Sequence, residues 1–342
     1  MNIPAKILIS LVCLILMSFV VFKAVNQTPI EFIVPKNWPK PTYDFKLNPL
    51  TKEKFELGKN LFYDPVLSSD SSTSCASCHL SYTAFTHADH AISHGVEGRS
   101  GTRNALTLIN LAWNKSFMWD GGVNHLEVQA INPITHASEM NETLEHVLFK
   151  LNQSDKYKKL VQDAFNEQKI DSKKLLKALA QFTSRLVSAN SKYDSVMRKE
   201  QNVKFTEQEE KGYRLFKKNC SACHTEPLFT NNKFENIGLP MDPDLMDTGR
   251  MKITSNKEDS LKFKVPTLRN IEFSAPYFHD GRAKKLKDVL EHYASGIKKS
   301  QNVHPALQNG MALSSSEKIE LISFLKTLTD KRFLYNPEFR TR

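Results

Sequence analysis

The chain reads S-C-A-S-C-H at positions 74–79 and N-C-S-A-C-H at 219–224. The unit Cys-x-x-Cys-His thus stands twice, with Cys75 and Cys220 separated by 145 positions. No other feature restricts the fold as much. Two thiols separated by two residues and followed at once by an imidazole form the attachment unit for haem c. The thiols add to the porphyrin vinyl groups, the intervening pair makes the turn that spans them, and the histidine reaches iron from one face. A redox Cys-x-x-Cys needs no histidine. A zinc site made of Cys75, Cys78, Cys220 and Cys223 leaves His79 and His224 idle at matched positions. One such unit arises rarely by chance, and two far less often. The expectation is two covalent haems, with His79 and His224 as proximal ligands.

The remaining cysteine, Cys13, lies in a segment of a different kind. Lys6 precedes a mostly apolar run from Ile7 to Phe22, closed by Lys23. That layout is an export signal and points residues 1–25 and the mature chain to the periplasm. No small-x-small pair marks a cleavage site, so an uncleaved membrane anchor stays open beside a signal peptide. A lipoprotein reading of Cys13 fails, because Val12 precedes it and the apolar run continues past it. The 342 residues suffice for about two domains, and 40% hydrophobic with 25% charged residues is the balance of a globular chain. The net charge of +10 comes without a dense Lys/Arg stripe with interleaved aromatics, which argues against nucleic acid as a partner.

The repetition extends beyond the cysteines. E-L-G-K-N-L-F (56–62) and E-K-G-Y-R-L-F (210–216) share the pattern E-x-G-x-x-L-F, a short amphipathic helix ahead of each haem unit. An Arg-Asn follows each unit, at Arg103-Asn104 and Arg269-Asn270. W-D-G-G-V-N-H-L (119–126) matches H-D-G-R-A-K-K-L (279–286). A duplicated haem module explains all of this. Apolar spacing predicts helices over 141–152, 171–189, 206–218, 284–294 and 314–329, with a capping box at Thr206 and Glu209 and a Ser314–Ser316 start for the last. Strand-like alternation is scarce. The expected fold is mainly α: two cytochrome c-type haem domains in tandem, 26–197 and 198–342, with long loops and little sheet. The boundary falls in the polar stretch Lys192–Val203.

Between the haem units stand M-W-D-G-G (118–122), L-E-V-Q (126–129) and S-E-M-N (138–141), and after them F-K-V-P-T-L-R-N and A-P-Y-F-H-D-G. With these motifs, from about Leu50 to Thr329, the chain resembles the bacterial di-haem cytochrome c peroxidase family, including its MauG-like branch. The resemblance implies that hydrogen peroxide reacts at the N-terminal haem. Electrons would enter at the C-terminal one from a small donor, a cytochrome c or cupredoxin. It places Gln129 and Glu139 at the peroxide pocket and Trp119 between the haems. Glu139 suits a general acid–base in O–O cleavage, since one carboxyl can take a proton and return it; a helix N-terminal carboxylate is its plain alternative. His94 falls near the position of a sixth ligand to the first haem, though an exposed loop position stands equally beside it. At the second haem the register gives Tyr293 where plain peroxidases carry methionine, as in MauG-like members; His292, Met311 or an open position are alternatives. The resemblance also implies one calcium ion on Asn104, Ser274 and Pro276. Two other functions stay open, a MauG-like oxidase acting on a protein side chain through high-valent iron and a non-catalytic electron carrier. A homodimer is neither required nor excluded.

Overall fold

In the computed structural model, which describes residues 27–340, each E-x-G-x-x-L-F unit lies on a helix that crosses a second helix at its glycine. The first module is built on α1 (Lys52–Tyr63), α2 (Leu144–Gln153), α3 (Asp155–Phe165) and α4 (Ser172–Ser184). The second is built on α5 (Lys192–Met197), α6 (Glu207–Asn219), α7 (Leu286–Glu291) and α8 (Ser315–Lys326). A β-carbon at Gly58 of α1 would lie 1.9 Å from the Ala178 carbonyl oxygen of α4, and one at Gly212 of α6 would lie 2.0 Å from the Glu320 oxygen of α8. Only glycine lets backbone approach backbone so closely. Leu61 and Phe62, and in the second copy Phe216, are buried at these crossings.

Capping chemistry sets the helix starts. Thr206 and Glu209 form the expected capping box, Ser314 and Glu317 form another, and Asp171 accepts from the Lys174 amide at 2.8 Å. The 284–294 expectation is split: α7 ends at Glu291 and a π-helical turn follows over His292–Gly296. α3 was not anticipated. Its buried stripe is only Tyr157, Val161 and Ala164, and the tyrosine hydroxyl is satisfied by Asp64 at 2.8 Å. Among the described residues, sheet is confined to β1 (Phe234–Glu235) and β2 (Phe263–Lys264), antiparallel, with Phe234 opposite Lys264, and to isolated bridges.

The duplication holds in the backbone, with one change of register. Asn110, rather than Asn104, occupies the place of Asn270. Both asparagines are left-handed, at φ 57° and 58°, and both open a 3-10 turn, Leu111–Trp113 and Ile271–Phe273. Their amides donate to the Leu186 and Leu328 carbonyls at 2.8 and 3.1 Å. Arg103 therefore has no counterpart in Arg269. The W-D-G and H-D-G turns do match: Gly121 and Gly281 have φ of 74° and 67°, and the bridges Phe117–Val123 and Tyr277–Ala283 close them.

Two apolar cores result, one within each module. Phe333, Leu334 and Phe339, from the end of the chain, pack into the first core. The turn-back is fixed at Asp330, whose buried carboxylate accepts from the Ala189 and Asn190 amides at 3.0 and 2.9 Å. In the polar stretch read as the boundary, α5 places Tyr193 in the second core. The segment 1–25 lies outside the described residues, and among those described no helix is long and apolar enough to cross a membrane.

Candidate active site

Each Cys-x-x-Cys-His folds as one turn, closed by the His79 amide on the Cys75 carbonyl at 3.0 Å and the His224 amide on that of Cys220 at 2.9 Å. The imidazoles are then fixed in the same way. His79 Nδ1–H donates to the Phe85 carbonyl at 2.7 Å and His224 Nδ1–H to that of Phe229 at 3.1 Å, both phenylalanines having left-handed φ. Burial brings each histidine down to about 4, so both are neutral, with Nε2 carrying the lone pair. The four cysteines form no disulfide, and burial pushes Cys75 and Cys220 up to about 12. Cys75 and Cys78 line one cavity and Cys220 and Cys223 another, so the four thiols do not converge on a single site. Paired thiols with a neutral, oriented imidazole at each of two cavities fit two haem c groups.

The first cavity, about 470 Å³, is lined by Cys75, Cys78, His79, His94, Gln129 and Glu139. Gln129 ends the 3-10 turn Leu126–Val128 of the L-E-V-Q motif. Glu139 is not a helix cap: α2 starts later, capped by Thr143. The Glu139 segment is held instead by the Val96 amide, which donates to its carbonyl at 2.8 Å. A β-carbon at Gly95 would lie 2.2 Å from that oxygen, so glycine is what lets the His94 loop lie on it. Glu139 is only half-buried, its side chain 42% exposed; that partial burial raises its pKa, opposed by His136 at 4.0 Å. His94 is exposed at the cavity edge, with Nδ1 3.2 Å from Ser100 Oγ. His87 and His90 stack beside it with ring centres 5.0 Å apart, outside the cavity lining.

The second cavity, about 210 Å³, is lined by Cys220, Cys223, His224, Tyr293 and Met311, with Ser274 and Pro276. Tyr293 lies in the π-helical turn, and burial raises its pKa. His292 points elsewhere, its Nε2 donating to the Ile237 carbonyl at 3.0 Å, and it is not in the lining. Met311 stays adjacent, its amide donating to the Tyr293 carbonyl at 2.8 Å.

The two cavities share a wall that includes Asn104, Trp119 and Lys264. Trp119 Nε1–H donates to the Asn104 carbonyl at 2.9 Å, and the Lys264 amide donates to the Trp119 carbonyl at 2.7 Å. Asn104 Nδ2 donates to the Ala91 carbonyl at 3.0 Å, and the Asn104 amide to that of His279 at 2.7 Å. Beside this wall Arg103 clamps the modules: Nε and Nη2 donate to the Asp247 carboxylate at 2.6 and 3.0 Å, and Nη1 to Asp120 at 2.5 Å. Lys264 and Asp247 carry no sequence signal for this placement beyond the motif F-K-V-P-T-L-R-N around the lysine.

A sequence model of the di-haem cytochrome c peroxidase family matches residues 52–202. The methylamine utilization protein MauG of Methylophilus methylotrophus is 34% identical over 310 residues, 89% of either chain. The cytochrome c551 peroxidase of Nitrosomonas europaea is 33% identical over 298 residues, 86% of this chain and 84% of that one. The crystal structure of a MauG-like protein associated with microbial copper homeostasis superposes with a TM-score of 0.81 at 29% identity, covering 91% of this chain and 99% of its own.

Proposed function

Because this chain belongs to the di-haem cytochrome c peroxidase family, we propose that it reduces hydrogen peroxide to water in the His79 cavity with electrons received at the His224 cavity from a small cytochrome c or cupredoxin. The reaction balances as one peroxide, two electrons and two protons giving two waters. Haem bound at Cys75/Cys78 and Cys220/Cys223 supplies the iron for O–O cleavage and the electron relay. The observation that carries the reading is a carboxyl group, Glu139, raised in pKa by burial and lining the same cavity as a neutral histidine. Glu139 takes the proton from the near oxygen of peroxide and returns it to the leaving one, while the Gln129 amide orients the substrate by hydrogen bonding. Trp119 stands in the wall between donor and acceptor sides. A periplasmic location and a calcium ion on Asn104 Oδ1 with the Ser274 and Pro276 backbone oxygens belong to the same proposal.

Peroxide consumption with a reduced carrier, in protein whose mass and spectrum show both haems, falls about 10²–10⁴-fold on Glu139→Gln. Turnover within threefold of the wild type refutes that role for Glu139. A wild type that binds both haems and consumes no peroxide refutes the enzyme and leaves an electron carrier. Tyr293 in the second cavity favours a second reading, oxidation of a partner protein's side chain, since a phenolate stabilises oxidised iron where a thioether stabilises reduced iron. Peroxide consumption without a reduced carrier, coupled to a mass change on a partner protein, selects that reading.

A further inference from the structure

Three cations near the shared wall differ in what they face. Arg103 is neutralised by Asp120 and Asp247, and Lys252 lies 3.1 Å from Asp247. Lys264 makes no ion pair among the described residues, although it is 6% exposed and lines both cavities. Its Nζ donates one hydrogen bond, to Asn232 Oδ1 at 2.6 Å. Asn232 is itself fixed, its amide donating to Thr230 Oγ1 at 3.0 Å and its Nδ2 to the Trp113 carbonyl at 3.5 Å. The Lys264 backbone is held between the Trp119 carbonyl and β1. An ammonium has three donors, and burying one with a single neutral acceptor is costly unless a counter-charge arrives. Burial alone accounts for its pKa falling to about 8, which leaves it charged at neutral pH.

We propose that Lys264 is a positioning residue that holds a haem propionate at the wall between the two cavities and thereby raises the reduction potential of the haem it faces. The inference rests on the two-haem reading above. The propionates are the anionic groups of a haem, and a fixed cation beside them offsets charge that otherwise opposes the addition of an electron. The placement calls for a long side chain ending in a fixed positive charge. Its long stem leaves the strand while Asn232 aims the head, and an exposed lysine would be screened by water and contribute little.

The test is a spectroscopic redox titration of the holoprotein and of Lys264→Gln. Removing the charge lowers the reduced-to-oxidised equilibrium constant of at least one haem about tenfold, 59 mV for a one-electron couple. Lys264→Arg keeps it within threefold. Should Lys264→Gln not accumulate with both haems, Asn232→Asp answers the same question with the lysine in place. The new carboxylate competes for Nζ, and the same haem falls by threefold or more. Both potentials within threefold of the wild type, in whichever of these two charge-altering variants retains its haems, overturn the proposal. A wild-type mass or spectrum showing fewer than two haems fails the two-haem reading itself, a result distinct from unmoved potentials in a two-haem protein.

Discussion

Replacing Gly58 or Gly212 by alanine sets two effects of opposite sign against each other. Glycine inside a helix costs roughly 1 kcal/mol relative to alanine, so propensity predicts that either substitution stabilises. The helix crossings predict the reverse. The new β-carbon would meet the Ala178 oxygen at 1.9 Å or the Glu320 oxygen at 2.0 Å, whereas ordinary contact begins at 3.4 Å. The obstacle in each case is backbone, which no rotamer change can move aside. α1 must draw away from α4, or α6 from α8, by about 1.5 Å. A gap of that size forfeits much of the packing between two close-packed helices. Overpacking costs about 1–3 kcal/mol, and a rigid obstacle puts these sites at the upper end or beyond. The clash wins, for a net loss of about 2 kcal/mol or more at each position. For modules of this size that lowers Tm by about 4–8 °C. Thermal unfolding of the haem-loaded protein, followed by circular dichroism, reads this directly. An unchanged or raised Tm in both variants would falsify the close-crossing account, and a loss in one alone would show that the two modules are not built alike.

Four further outcomes follow from the charges and the second cavity. Arg269 is fully buried and bidentate to Asp194 at 2.9 and 2.7 Å, so Arg269→Met leaves a buried carboxylate unpaired and lowers stability by about 3–5 kcal/mol in denaturant titration. Burial opposes ionisation of Asp194 and Asp247, yet hydrogen bonds and charge from Arg269 and Arg103 hold both below the usual carboxylate range. Depressed carboxylates stabilise fully above their unfolded value of about 3.9 and lose that contribution as pH falls through their folded values, so acid unfolding monitored by fluorescence begins below about pH 4. Glu139 is shifted the other way, by burial. Since turnover needs its basic form first, the acid limb of the peroxide rate lies above the ordinary carboxylate value of about 4.3 and disappears in Glu139→Gln. At the second cavity Tyr293→Met raises the reduction potential of the His224 haem by tenfold or more in equilibrium constant, 59 mV for one electron; no change there means that Tyr293 does not reach the iron.

What could be read in advance was whatever depends on residues close together in the chain. Cys-x-x-Cys-His is a single turn, so its spacing announces its geometry. The glycine of E-x-G-x-x-L-F and the capping boxes at Thr206 and Ser314 are likewise local statements, and they fixed the helices that carry the modules. The motifs that supplied the family resemblance also named Gln129, Glu139, Trp119 and Tyr293, which the folded chain brings to the two cavities.

Other features answer to contacts between distant segments. An Arg-Asn pair looks the same whether or not its asparagine is left-handed, so only the backbone reveals that Asn110 corresponds to Asn270. α3 has a thin apolar stripe whose tyrosine makes sense only beside Asp64. The return of Phe333 and Phe339 to the first core depends on Asp330 meeting the amides of residues 189 and 190. The sequence by itself determined two haem-binding turns, their helices and the residues around them. Tertiary structure alone decided which charges are neutralised, with Arg103 clamped by two carboxylates and Lys264 left without one among the described residues, because burial and pairing are set by neighbours in space.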